Sequence, residues 1–329
     1  MDRCRHIHFL CALNLGCSFA LVGIGAASGQ STSGVSGPLL AQNAQIEQSR
    51  LYDRTTGPDA TGMTPDGMAL PGTANGNSDD ESFGAQQMLK TQQRVREFVL
   101  SGDSSMFYTN NVALTRRDMI SDGFFVGGAG LGWSHAINPQ MQLQVGGRVS
   151  LFRYVDTSSL DFENLSAGIG FNWIPQPAWG ITVFARYDFT ELLDKHSREL
   201  LQDHEFTLGA QKVFAINRVH SFTLGASGSV GISDPFSAQR DQISAFGAYH
   251  LSFTQQLDAE LAYRIGGFFY NGGGRNDFNQ AVSLGMRYRF TSWMEANALF
   301  TFASNRSSKS VFDYDVLNTG GSVGFAVRF

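Results

Sequence analysis

Period-two alternation of apolar and polar residues runs from Ser104 to Phe329, the links between alternating segments change length in rhythm, and aromatic residues gather at the segment ends. Together these predict an all-β fold: a twelve-stranded antiparallel transmembrane β-barrel with a disordered N-terminal arm and one short helix. Composition agrees. Only 16% of the 329 residues are charged, 42% are hydrophobic, and there are 37 Gly and 27 Phe against 8 Pro. Soluble domains carry about 25% charged residues, and disordered chains are highly charged with few aromatics, so neither class covers the whole chain. A net charge of -5 supplies no basic field and excludes nucleic acid as a partner.

Arg3 and Arg5 precede an apolar run, Phe9 to Ala27, which exits through the small residues Ala27-Ser28-Gly29. This predicts a signal peptide over 1–29. Asn14-Leu15-Gly16-Cys17 is a weaker lipoprotein box because Asn14 stands where an apolar residue belongs, and Asn14 and Ser18 interrupt an anchor helix. Cys4, Cys11 and Cys17 all fall in this leader, so the exported chain lacks thiolate ligands and cysteine nucleophiles. Residues 30–82 are rich in Ser, Gly, Asn, Asp and Pro without periodicity, which predicts a disordered periplasmic arm. Residues 83–103 are read as a short helix and tether. Asp79, Asp80, Glu81 and Ser82 stand at its N-terminus, and Met88, Leu89, Gln92, Val95 and Val99 form a loose stripe.

In the barrel region, 104–329, Leu143, Val145, Gly147, Val149 and Leu151 alternate with Gln142, Gln144, Gly146, Arg148 and Ser150. Roughly twelve such segments follow one another, an even number as bacterial barrels require. Links after even-numbered strands are short, such as Asn138-Pro139-Gln140 and Thr291-Ser292. Those after odd-numbered strands are read as longer: Arg116 to Gly123, Glu191 to His204, Asn271 to Asp277 and Ser304 to Val316. A soluble sandwich has no reason for that rhythm. Trp133, Trp173, Trp179, Phe214, Phe253, Phe290 and Trp293 gather at the short-turn ends as a girdle would.

The last strand, Ser322 to Phe329, carries Ser322, Gly324, Val327 and a terminal Phe329 at the spacing of an assembly signal. It resembles the C-terminus of the bacterial outer-membrane β-barrel (porin-like) superfamily, without selecting a subfamily. The resemblance implies the outer membrane as location, with the barrel assembly machinery, lipids and lipopolysaccharide as partners.

Inward parity collects Arg148, Arg186, Asp188, His250, Asp258, Glu260, Arg264, Arg287, Arg289, Glu295 and Asn297. On the lipid face such charges would cost about 2 to 4 kcal/mol each near the midplane. Aligning strand ends places Asp258 opposite Arg289, Glu260 opposite Arg287, Arg289 beside Glu295, Arg287 beside Asn297, and His250 beside Glu260. These form two polar rows that either brace the wall or orient solutes in a constriction. Many remaining inward residues are small, which predicts a narrow aqueous lumen.

Enzyme chemistry finds little support. Ser134 and His135 are adjacent on a strand and point to opposite faces. His196, Glu199, Asp203 and His204 read as a solvated loop rather than a metal site, and Gly128-Ala129-Gly130 lies within a strand rather than at a phosphate-binding turn. No cofactor or metal is expected. The sequence therefore reads as a passive channel for small polar solutes, the alternatives being a closed structural or adhesion barrel, a translocator with an in-pore helix, or a lipid-modifying enzyme.

Overall fold

The computed structural model describes residues 97–217, 219–272 and 274–329. The expected signal peptide, the arm and the expected helix as far as residue 96 lie outside the described residues. Twelve strands follow in order: β1 (Phe98–Thr109), β2 (Asp122–Asn138), β3 (Met141–Tyr154), β4 (Phe162–Trp173), β5 (Ile181–Asp194), β6 (Glu199–Ala215), β7 (His220–Asp234), β8 (Arg240–Ser252), β9 (Leu257–Tyr270), β10 (Arg275–Arg289), β11 (Met294–Ser307) and β12 (Tyr314–Arg328). Each pairs antiparallel with its sequence neighbours, and β12 returns to β1, closing the barrel. Both described chain ends lie at one end, hereafter the terminal end. The links after odd-numbered strands lie at the other, the loop end.

Alternation sets the two faces. Leu131, Val145, Ile169, Leu208, Leu224, Leu261 and Leu284 stand exposed on the outside, while Gln144, Arg148, Asp188, Asp258 and Glu295 are buried on the inside. An apolar belt of this extent matches hydrocarbon rather than water. Closure leaves no open edge of unpaired backbone. The short-turn aromatics Trp173, Trp179, Phe214, Phe253, Phe290 and Trp293 are exposed, as a girdle requires.

The structure corrects the sequence reading at two places. Residues 98–103, expected as the end of the short helix and its tether, are the first half of β1, whose Val99, Ser101, Asp103, Ser105 and Phe107 alternate inward. A loose stripe in a helical window hid that alternation, and β12 needs these residues as its closing partner: Val99 faces Arg328 and Asp103 faces Gly324. The strict rhythm of long and short links also dissolves. Between β5 and β6 only residues 195–198 lie outside the strands, and between β9 and β10 only 271–274, whereas 174–180 is long for its end. Polar residues such as Asp203 and His204 continue the ladder, so polarity alone does not mark a loop.

Glycine shapes the inner wall where a large side chain crosses it. A Cβ on Gly128 would fall 2.2 Å from the Arg148 guanidinium, and one on Gly320 would fall 2.1 Å from the Phe107 ring. Both side chains lie flat on a neighbouring strand because those strands present bare backbone there.

The start of β1 is pinned to β2 by Glu97. Its carbonyl accepts from the Ser134 amide at 2.9 Å, while its carboxylate meets His135 Nδ1 at 2.7 Å and accepts from Trp133 Nε1 at 2.9 Å. The bonds from His135 and then Trp133 hold the Glu97 carboxyl below its ordinary value. Because the folded value is the lower one, this contact stabilises the junction above the usual carboxylate range and is lost as pH falls through the lowered value. Trp133 emission is therefore expected to shift on acidification, and Glu97→Gln to remove that step; an unchanged step in the variant would count against the pin. On the outer face, Ile169→Arg is expected to cost about 2 to 4 kcal/mol near the bilayer midplane. Urea unfolding in lipid vesicles measures this, with Asn172→Arg on the inner wall as the contrast.

Candidate functional site

The interior divides into two regions. Near the terminal end, β8 to β11 carry a charged wall built by their register. Asp258 faces Arg287, Arg287 faces Asn297, and Asn297 faces Ser322, so Asp258, Arg287, Asn297 and Ser322 form one row across four strands. Asp258 accepts from Arg287 Nη2 at 2.8 Å and Nε at 3.2 Å, and from Arg289 Nη2 at 2.6 Å. One carboxylate thus sits between two guanidinium groups. Asn297 donates to Glu295 and to Ser322 at 3.4 and 3.3 Å, tying in the next row.

Sequence reasoning placed Arg289 beside Glu295, Arg287 beside Asn297 and His250 beside Glu260, and the structure has these pairs. It misplaced β9 against β10. Asp258 faces Arg287 rather than Arg289, and Glu260 faces Gly285 rather than Arg287. The cause is the hairpin. The turn at 271–274 sets Tyr270 against Arg275 and fixes the register from the loop end, with Gly274 at φ 61° inside that turn. Aligning the opposite strand ends cannot see this.

Arg148 sits on the wall opposite β9 and pairs with Asp103 across Gly128, its Nε also donating to Ser150 at 2.9 Å. Asp103 had gone unnoticed in the expected helix, although the closing need of β12 would have revealed it. Arg186 and Asp188 both point inward on β5, Arg186 lying over the Phe184 ring at 5.1 Å. Arg240, and the buried pair of Arg275 with Asp277 at 2.9 Å, also belong to this interior, at strand starts whose polar sequence resembles loop. Extending the inward parity of Phe246 back through Ser244 and Gln242 reaches Arg240 and would have found it.

The loop-end half is different. Phe107, Phe124, Val126, Phe152, Tyr154, Phe162, Leu192 and Leu201 form one apolar cluster with Ala238 of the β7–β8 link. Phe152 stacks on Phe162 at 4.3 Å, and Phe107 stacks on Phe124 at 5.3 Å. On the facing wall Leu114, from the link after β1, packs with Ala281, Ala303, Tyr314 and Val316. That link is fastened by Asn111, whose Nδ2 donates to the carbonyls of Thr115 and Asp315. Phe124, Leu201 and Tyr314 are each 0% accessible despite inward parity, so side chains fill this half rather than line an open bore. The lumen expected from small inward residues is thus filled in this half, while toward the terminal end Arg287 and Arg289 keep part of their side chains accessible.

Residues weighed for catalysis or metal binding separate. Ser134 faces inward and accepts from Gln142, whereas His135 lies outside against Glu97. Asp203 points inward to Ser233, while His204 meets Tyr187 on the outer face. Among the described residues no group of three or more His, Cys, Asp or Glu stands together as a metal site. His250 Nε2 and Ser252 Oγ are 3.2 Å apart within the lumen.

Removing the carboxylate between the two arginines leaves like charges facing each other. Asp258→Ala is expected to cost about 1.5 to 3 kcal/mol, read from urea unfolding in vesicles. Asp258→Ala combined with Arg287→Met should recover part of that loss, and equal losses from the single and double variants would argue against a coupled cluster.

No protein-family model and no curated protein matches the chain. Among solved structures, the COG4313 outer membrane channel from Pseudomonas putida F1 is similar over 71% of this chain and 96% of that one, with TM-score 0.53 and 9% identity. A bacterial polysaccharide outer membrane secretin aligns over 71% and 99% with TM-score 0.43 and 10% identity. The translocator domain of autotransporter NalP from Neisseria meningitidis aligns over 72% and 90% with TM-score 0.43 and 8% identity. Identities this low speak to fold alone. The closed twelve-stranded antiparallel barrel, with its apolar outside and charged inside, is thus similar in fold to that outer membrane channel.

Proposed function

We propose that the protein is a narrow channel of the bacterial outer membrane for small polar solutes, with its loop-end half shut in the state described. The observation that carries this reading is the contrast between the two halves of the interior. Arg289 keeps 34% and Arg287 13% of its side chain accessible toward the terminal end, and His250, Glu260 and Arg328 are also partly accessible. Phe124 and Leu201 in the other half are 0% accessible. A vestibule lined by acids and arginines supports polar solutes, and a ring of aromatic side chains at its far end suits a closure that parts to admit them. In this orientation the terminal end faces the periplasm, and the last strand, with Phe329 stacked on Phe98 at 5.8 Å, is the element presented to the assembly machinery. Lipid and lipopolysaccharide meet the apolar outer face.

The reading includes no catalytic step. The strand amides around His250 and Ser252 are engaged in the ladder, which supports a structural role for that pair. A second reading draws on the filled half itself: a barrel closed to solutes, whose loop end is a contact surface.

Planar-bilayer recordings of the full exported chain separate the two. The channel reading expects small or brief steps from the wild type and larger, longer ones from Phe152→Ala, which removes one ring of the Phe152–Phe162 stack. Silence from both proteins, with heat-modifiable gel migration showing folded barrels, would end the channel reading in favour of the closed one.

A further inference from the structure

Arg264 is a deeply buried arginine of the inner wall that forms no ion pair with any described residue. It is 2% accessible, and its Nε, Nη1 and Nη2 atoms make no hydrogen bond with any described residue. Its neighbours worsen the imbalance. Arg240, itself 7% accessible, stands close enough to repel it, and both guanidinium groups lie over the Phe268 ring, at 5.5 Å and 4.5 Å from the centroid. Arg240 donates to the Tyr270 hydroxyl at 3.3 Å and forms no ion pair among the described residues, with Asp203 as its acidic neighbour in the same field. Glu205 and Tyr314 share the same field, but Glu205 forms no ion pair with either arginine and instead accepts from Gln242 at 3.3 Å. Arg275 balances its own charge with Asp277 and contributes none.

A buried guanidinium without a partner is costly to maintain, because the desolvation of the ion is not returned by any contact. Two other buried arginines of the lumen are ion-paired: Arg148 with Asp103, and Arg275 with Asp277. The residues beside Arg264 on its own strand and the next are small. Gly266 carries no side chain, and a Cβ there would come within 3.4 Å of Arg264 Nη2. Ala281, the cross-strand partner of Arg264, is small, and Asn279 Oδ1 beyond it is also unengaged. Access is arranged along β9. Glu260 and Ala262 are the preceding inward residues and are partly accessible, and Phe268 begins the aromatic block beyond. Arg264 thus marks the inner limit of the vestibule.

We propose that Arg264, with Arg240 beside it, forms a binding site for an oxyanion, the carboxylate or phosphate group of a small solute, at the point where the polar vestibule meets the aromatic closure. The planar fork of Arg264 fits two oxygens of such a group, and the second positive charge offsets its desolvation. The site rests on the channel reading for its biological use and narrows the solute class from polar to anionic. Its chemistry does not require that the pore conduct.

Two measurements on the full exported chain in lipid nanodiscs and bilayers test it. Titration calorimetry with inorganic phosphate, and separately with acetate, at constant ionic strength should show saturable binding of at least one of them. Arg264→Gln should weaken that binding at least tenfold. Arg264→Lys, which keeps the charge but loses the fork, should weaken it less and guards against a loss caused by misfolding. Zero-current potentials in a potassium chloride gradient should show an anion preference that Arg264→Gln reduces. No saturable binding of either anion, or equal binding by wild type and Arg264→Gln, overturns the site. Current without anion binding would defeat the site and leave the channel standing, whereas binding without current would uphold the site and defeat the channel. Preference for phosphate over acetate, or the reverse, identifies which oxyanion the fork accepts.

Discussion

Within hydrocarbon a backbone amide that loses its partner has no water to replace it, so the whole architecture rests on β12 finding β1. The joint is made by main-chain bonds between Phe98 and Phe329 in both directions and by the register that sets Asp103 against Gly324 and Ser105 against Ser322. Closing the ring sorts every side chain at once. One face meets lipid and the other can meet only the lumen, which obliges each inward charge to find a partner, water or a ligand. The rows of acid and arginine on β9 to β11 follow from that obligation as much as from any solute.

The inner wall answers the obligation unevenly. Toward the terminal end, Asp258 shares itself between Arg287 and Arg289, and the two arginines keep part of their side chains accessible. Toward the loop end, the wall turns to rings: Phe107 on Phe124, Phe152 on Phe162, and Arg275 held 3.6 Å over Tyr270 and 4.0 Å over Phe312. Stacking lets large groups occupy a tapering space where single side chains would leave voids. The glycines beneath Arg148 and Phe107 serve the same end, since a flat side chain across bare backbone takes up width without pushing strands apart. A barrel of this strand number can therefore be wet at one end and dry at the other without changing its circumference.

The barrel was legible in the sequence because its signal is repeated in every strand. Alternation such as Leu143 to Leu151 states which face is which, and the final Ser322-Val323-Gly324-Phe325-Ala326-Val327-Arg328-Phe329 states where the chain closes. Less of the candidate site could be read. Parity placed His250, Asp258, Glu260 and Arg287 inside, but which of them touch depends on a turn whose geometry is set at residues 271–274, far from the charges. Asp103 was concealed by a stretch whose apolar residues fit a helical stripe as well as a strand. The filling of the loop-end half escaped for another reason: Phe152 and Tyr154 show inward parity in the sequence, but whether inward rings line a space or fill it depends on what Leu114 and Ala238 bring from the links.

Those links also bear on how the protein can be altered from outside. The longest of them, residues 110–121, resembles a free surface loop by length, but Asn111 and Leu114 are among the least accessible residues of the molecule and hold it to β10, β11 and β12. An inserted epitope or display tag there would have to unseat part of the interior. The tight turn at 195–198, with Lys195, His196, Ser197 and Arg198 all exposed, is anchored to itself through Asp194. The shorter connection is thus the better place to graft foreign sequence, because tolerance to insertion follows the attachments of a loop and not its length.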